Sequence, residues 1–99
     1  MSEASEFTAL RDIIAERERQ EAKWGEQNHD PFLYLTILGE EYGETCKAAL
    51  EARFNSSGPG TPTAIDRLAD LRAEAVQTAA VAMAIVECID RKKWRWSTP

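Results

Sequence analysis

The stretch from Leu38 to Glu44, LGEEYGE, places Glu40, Glu41 and Glu44 within about one helical turn. Residues three or four apart share a helix face, so these carboxylates point roughly one way. That face is apolar on either side: Ile37 and Leu38 lie one turn before Glu41, and Ala48 lies one turn after Glu44. A carboxylate on a buried stripe is costly unless it is paired, protonated or bound to a cation. Like charges at these spacings add to the cost. Glu74 poses the same problem further on, one turn after Leu71 and one turn before Thr78, with Gln77 beside it offering a neutral oxygen. Two long helices that pack antiparallel bring Glu41 and Glu44 to Glu74 near mid-length. Oxygen ligands with several carboxylates suit Mg²⁺ or Mn²⁺. The alternative is neutralisation by Lys47, Arg72 or Lys23 in buried ion pairs, and the residues alone leave both open.

The elements that carry these residues are helical. Ser5 is placed to cap a first helix, along which Leu10, Ile13, Ile14, Arg17, Glu21 and Trp24 recur at helical spacing until Gly25 stops it. Its second half, AERERQEAKW, reads as a largely solvated charged face. Asp30 followed by Pro31 is a helix-start signal, and the second helix is predicted from Pro31 to Phe54, roughly 36 Å long. The breaker NSSGPGTP follows. A third helical region starts near Thr63, with a separate short turn expected around Ala64 to Ala69 and the main helix over Asp70 to Lys92. Leu71, Glu74, Thr78, Val81, Ile85 and Cys88 make one stripe of it, while Val76, Ala80, Met83 and Ile89 are apolar on other faces. A helix apolar nearly all round is buried on more than one side. Two other helices of one chain cover it only in part, which predicts packing across a subunit boundary. The tail RKKWRWSTP reads as a helix C-terminus with dipole-matched cations and then a frayed end.

The expected fold is therefore all-α: one domain over residues 1–99, a bundle of three main helices completed by oligomerisation. A net charge of −5 and a pI near 4.9 argue against a nucleic-acid polymer or a membrane surface as partner. MSEASEFTALRD has acids where a signal peptide needs a basic and then an apolar region. Cys46 and Cys88 lack metal-ligand spacing and read as reduced, semi-buried thiols. The expected compartment is cytoplasmic.

The same residues resemble those of the all-α nucleoside triphosphate pyrophosphohydrolases, the MazG-like group. That family carries ExxE on one helix and ExxD on a later one. Here Glu41-Tyr42-Gly43-Glu44 matches the first element, and Glu74-Ala75-Val76-Gln77 stands at the second, with Gln77 in place of the last acid. ERERQEAKWGEQNH, from Glu16 to His29, is similar to a segment of phage and bacterial members. The resemblance covers about residues 7 to 91. It implies Mg²⁺-dependent hydrolysis of a (deoxy)nucleoside triphosphate to the monophosphate and pyrophosphate, with Mn²⁺ as a possible substitute, in a homodimer or homotetramer. Glu41, Glu44 and Glu74 would be ligands and catalytic carboxylates, with Gln77 a neutral ligand and Glu40 facing solvent or an ion pair. Trp24 would stack on a base, and Lys23 and His29 would contact base or phosphate. Arg17, Arg19 and the basic tail residues Lys92, Lys93 and Arg95 are further candidates for phosphate. Each of these also has a plain structural reading, Trp24 as a core aromatic and His29 as a loop histidine that caps the Pro31 helix. Two other classes stay open: a nucleotide-binding or sensing protein of the same fold with little turnover, for which Gln77 speaks, and a purely structural helical oligomer with salt-bridged acids.

Overall fold

The computed structural model describes residues 3–54 and 62–96, and the breaker between the second and third helices lies almost wholly outside them. The described residues form three helices, α1 (Glu3–Trp24), α2 (Pro31–Phe54) and α3 (Pro62–Arg91), with no strand among them. The all-α expectation holds at that level.

Helix ends follow local chemistry. Gly25 ends α1 at φ +73°, a left-handed conformation that glycine adopts without a Cβ penalty, and its N–H donates to Glu21 O at 2.7 Å. Asp30 caps α2: its Oδ1 accepts from Leu33 N at 3.0 Å and its carbonyl from Tyr34 N at 3.1 Å. Pro31 then supplies a first helical residue whose missing N–H is no loss. Pro62 does the same for α3, which ends where Lys92 turns left-handed at φ 57°.

Four local expectations are corrected. Ser5 lies inside α1, which already runs from Glu3. The third region is one continuous helix from Pro62, with no separate turn at Ala64 to Ala69; Pro62 starts it, and nothing between there and Asp70 interrupts its backbone hydrogen bonding. The thiols are not alike: Cys46 is exposed and Cys88 is buried. The tail does not fray at once, because Trp94 packs against the core and Trp96 stacks on Phe32 with ring centroids 5.3 Å apart.

α3 is the central element and packs against both α2 and α1, whereas no described Cα of α1 lies within 8 Å of one in α2. The two outer helices are thus splayed across α3. The buried core is small-chained: Ala48, Ala80, Val81, Ala84 and Cys88, with Tyr34 its one buried aromatic among the described residues. Alanines at the α2–α3 contact let the helices approach closely, so inward side chains near mid-length meet.

Candidate carboxylate and cleft site

Splaying α1 and α2 over α3 opens a cleft of about 300 Å³ whose floor is α3. Each helix lends one face. Glu16, Gln20 and Trp24 come from α1 at spacing i, i+4, i+8; Tyr34, Ile37 and Glu41 come from α2 at i, i+3, i+7. Gln77, Val81 and Ala84 form the floor, and Gln27 closes the side from the loop after α1. Among the described residues no lysine or arginine lines it. A second, more polar hollow of about 420 Å³ lies further along α2 and α3, lined by Glu44, Lys47, Glu51, Asp70 and Glu74 among others.

The acids sit where the two hollows meet. Glu41, Glu44 and Glu74 each offer a carboxylate oxygen, and those oxygens lie within 4.8 Å of one another. Antiparallel packing of α2 on α3 does bring them together at mid-length. Glu41 Oε2 and Glu74 Oε2 are buried and have no hydrogen-bond partner. Burial, reinforced by the negative charges of Glu44, Glu74, Glu16 and Glu40, pushes the Glu41 carboxyl above the usual carboxylate range. Among the described residues no ion pair reaches the three acids. Arg72 is taken by Asp12 at 2.8 Å, and Lys47 and Lys23 form none with them. The salt-bridged alternative therefore finds no cation among the described residues of one chain. The donor set, two stranded oxygens and a third carboxylate, fits a hard divalent cation.

One helical turn past Glu41 and Glu74, Thr45 and Thr78 face each other with Oγ1 atoms 2.9 Å apart. Each hydroxyl also reaches the carbonyl one turn back, Thr45 to Glu41 O at 3.0 Å and Thr78 to Glu74 O at 3.0 Å. Two hydroxyl protons serve three contacts, so one hydroxyl donates across the helices at any moment and the other to its own helix. This pair pins α2 to α3 beside the acids.

The other candidates divide. Trp24 lines the cleft and is 57% exposed, with Lys23 Nζ 4.6 Å from its ring centroid. Gln77 lines the floor, and its carbonyl accepts from Gln20 Nε2 at 3.5 Å. His29 is half-buried and does not line the cleft; its ring meets Tyr34 edge-on at 5.0 Å. Glu40 is exposed. Arg17 is buried and paired to Glu87 at 3.1 Å, which removes it from reach of a phosphate, and Arg19 pairs with Glu16 at 2.8 Å. The cleft also holds Glu16, Gln20, Gln27 and Tyr34, which the pattern of types did not single out. The i, i+4, i+8 row Glu16–Gln20–Trp24 was the available signal.

A scan against protein-family models, a search of curated proteins and a search of solved structures each return no match to this chain.

Proposed function

We propose that this chain is a divalent-cation-dependent pyrophosphohydrolase acting on a nucleoside triphosphate. The observation that carries the reading is the pair of buried, unpartnered oxygens, Glu41 Oε2 and Glu74 Oε2, in a carboxylate trio at the end of an uncharged-to-acidic cleft. Glu41, Glu44 and Glu74 would hold Mg²⁺ or Mn²⁺, with the Gln77 side-chain oxygen as a neutral supplement. A cation bound there supplies neutralisation of phosphate oxygens and the means to activate water. A carboxylate of the trio not fully used in holding the cation would orient the attacking water. Among the described residues no cation lines the cleft, which offers two aromatic residues, Trp24 and Tyr34, and three glutamines, Gln20, Gln27 and Gln77, so it suits the uncharged nucleoside end. The triphosphate end then points to the second hollow, where Lys47 is the one cation among the described lining residues.

Self-association belongs to the same reading. The chain exposes 7090 Å², against about 5,700 Å² for a compact monomer of 11.1 kDa. Its radius of gyration is 16.0 Å, against about 12.6 Å for a compact domain of this length. Leu33, Leu35, Leu50, Leu68 and Val86 are among the large apolar side chains left exposed. A homodimer or homotetramer would cover them. No described helix is long and apolar enough to cross a membrane.

The test is a panel of canonical and modified triphosphates with Mg²⁺ or Mn²⁺, assayed for pyrophosphate and monophosphate. Release that EDTA abolishes is expected. Thermal stabilisation by nucleotide and cation without pyrophosphate release would instead make the chain a binding protein, and no response to either would leave only a structural oligomer.

A further inference from the structure

We propose that Arg91, at the end of α3, is a positioning residue for the bound nucleoside: it holds the backbone of Gln27 and thereby sets the wall that closes the cleft between α1 and α2. This rests on the pyrophosphohydrolase reading of the site. Arg91 Nη2 donates to Gln27 O at 2.9 Å, while Nε donates to Asn28 Oδ1 at 3.0 Å and lies 3.3 Å from Glu26 Oε1. Cys88, one turn earlier on α3, adds its thiol to His29 O at 3.4 Å. Successive loop residues are thus tied to one helix end, and Gln27 lines the cleft. None of these bonds touches the carboxylate trio. Arg91 therefore acts on binding of the nucleoside and leaves the cation-binding end alone.

A guanidinium can satisfy a carbonyl and an amide oxygen in different directions at once; an ammonium is a point charge that keeps only the attraction to Glu26. Arg91→Lys thus separates loop placement from charge pairing. The experiment measures steady-state kinetics and Mn²⁺ titrations of the parent, Arg91→Lys, Gln27→Ala and the double variant. Expected is a KM about tenfold higher in Arg91→Lys, the loss of about one hydrogen bond's worth of placement, with kcat within about twofold and Mn²⁺ affinity unchanged. Gln27→Ala should give a similar KM, and the double variant should be no worse than either single one, because Arg91 acts through Gln27. An unchanged KM in Arg91→Lys overturns the proposal. So does a roughly hundredfold rise in the double variant, which would mean independent effects, and so does a joint fall in kcat, Mn²⁺ affinity and melting temperature, which would mean a merely structural tie. If Arg91→Lys does not fold, Arg91→Met, which also removes the bond to Gln27 O, takes its place in the same cycle. A parent inert on every triphosphate overturns the site reading and this proposal together; an active parent whose Arg91→Lys variant keeps its KM overturns the proposal alone.

Discussion

The two ends of the cleft solve the problem of buried polar groups in opposite ways. At the loop end, Arg91, Asn28, Glu26 and the carbonyls of Gln27 and His29 find partners within the chain. At the carboxylate end, Glu41 Oε2 and Glu74 Oε2 find none, and the nearest charges are negative. Polar groups satisfied internally fix a shape, whereas charged groups left unsatisfied keep their interaction free energy for an outside partner. On the proposed reading, the loop end is scaffold for the site and the carboxylate end is the part that takes the ligand.

That contrast breaks most sharply at the acids. Glu41→Gln, Glu44→Gln and Glu74→Gln are each expected to lower turnover by about 10²–10⁴-fold, the range for loss of a positioned catalytic group. In EDTA, Glu41→Gln and Glu74→Gln should raise stability by about 0.5–1 kcal/mol through relief of like-charge repulsion. If the acids were partners of buried cations, each change would instead cost about 3–5 kcal/mol. Thermal melts in EDTA decide by sign, and a fall in melting temperature would remove the cation site.

Away from the cleft, the Arg17–Glu87 pair tests how the scaffold half is held. The Arg17 side chain is 8% exposed and that of Glu87 is 37% exposed. Glu87→Ala strands a guanidinium in the interior and should cost about 3–4 kcal/mol. Arg17→Met leaves a carboxylate that water can reach and should cost about 1–2 kcal/mol. Urea denaturation midpoints measure both, and equal costs or the reverse order would mean the pair is not asymmetrically buried.

The sequence carried the acids well and the cleft poorly. Asp30-Pro31 located the start of α2, and the interruption of two apolar stripes by Glu41, Glu44 and Glu74 located the meeting point, because helical periodicity reports which residues share a face. It does not report how far apart two helices sit. The cleft exists because α1 and α2 both rest on α3 without approaching each other, so Gln20, Gln27 and Tyr34 line it only through that spacing. Arg17 illustrates the converse. Its place among Leu10, Ile13 and Ile14 on one stripe marked it as inward, but a charged type in a charged segment reads as solvated until Glu87, seventy residues on, is seen beside it. Trp94 likewise docks on a core that the local sequence of the tail does not contain.

A smaller effect is expected at the threonines that pin the helices beside the acids. Thr45→Val or Thr78→Val removes the bond between α2 and α3 and should cost about 1 kcal/mol, with Mn²⁺ affinity reduced less than tenfold. The double variant should cost little more than either single one, since one shared bond is lost in each. Additive costs in melts and calorimetric titrations would show that the two hydroxyls act separately on their own helices.

The smallest effect separates the two ends by pH. The Glu41 carboxyl is raised above its ordinary 4.5, first by burial and then by the surrounding carboxylates. The folded chain thus holds this proton more tightly than the unfolded chain, so the associated stability is present below 4.5 and is lost as pH rises through the raised folded value. Glu26 at the loop end runs the other way: the Asn28 side-chain hydrogen bond, with Lys93 and Arg91, lowers its carboxyl below 4.5, so its stability is present above 4.5 and lost as pH falls through the lowered value. Asp12, lowered from 3.8 chiefly by its hydrogen bond from Arg72, behaves as Glu26 does. The windows lie on opposite sides of 4.5. In EDTA the parent should therefore lose melting temperature as pH rises above 4.5, and Glu41→Gln should lose less over the same interval. A cation competes with the proton at Glu41, so Mn²⁺ affinity of the parent should increase over that interval while its metal-free stability declines. Melts and Mn²⁺ titrations at matched pH values measure both slopes. If Glu41→Gln shows the parent's decline unchanged, the titrating group is elsewhere and the carboxylate end is no more frustrated than the loop end.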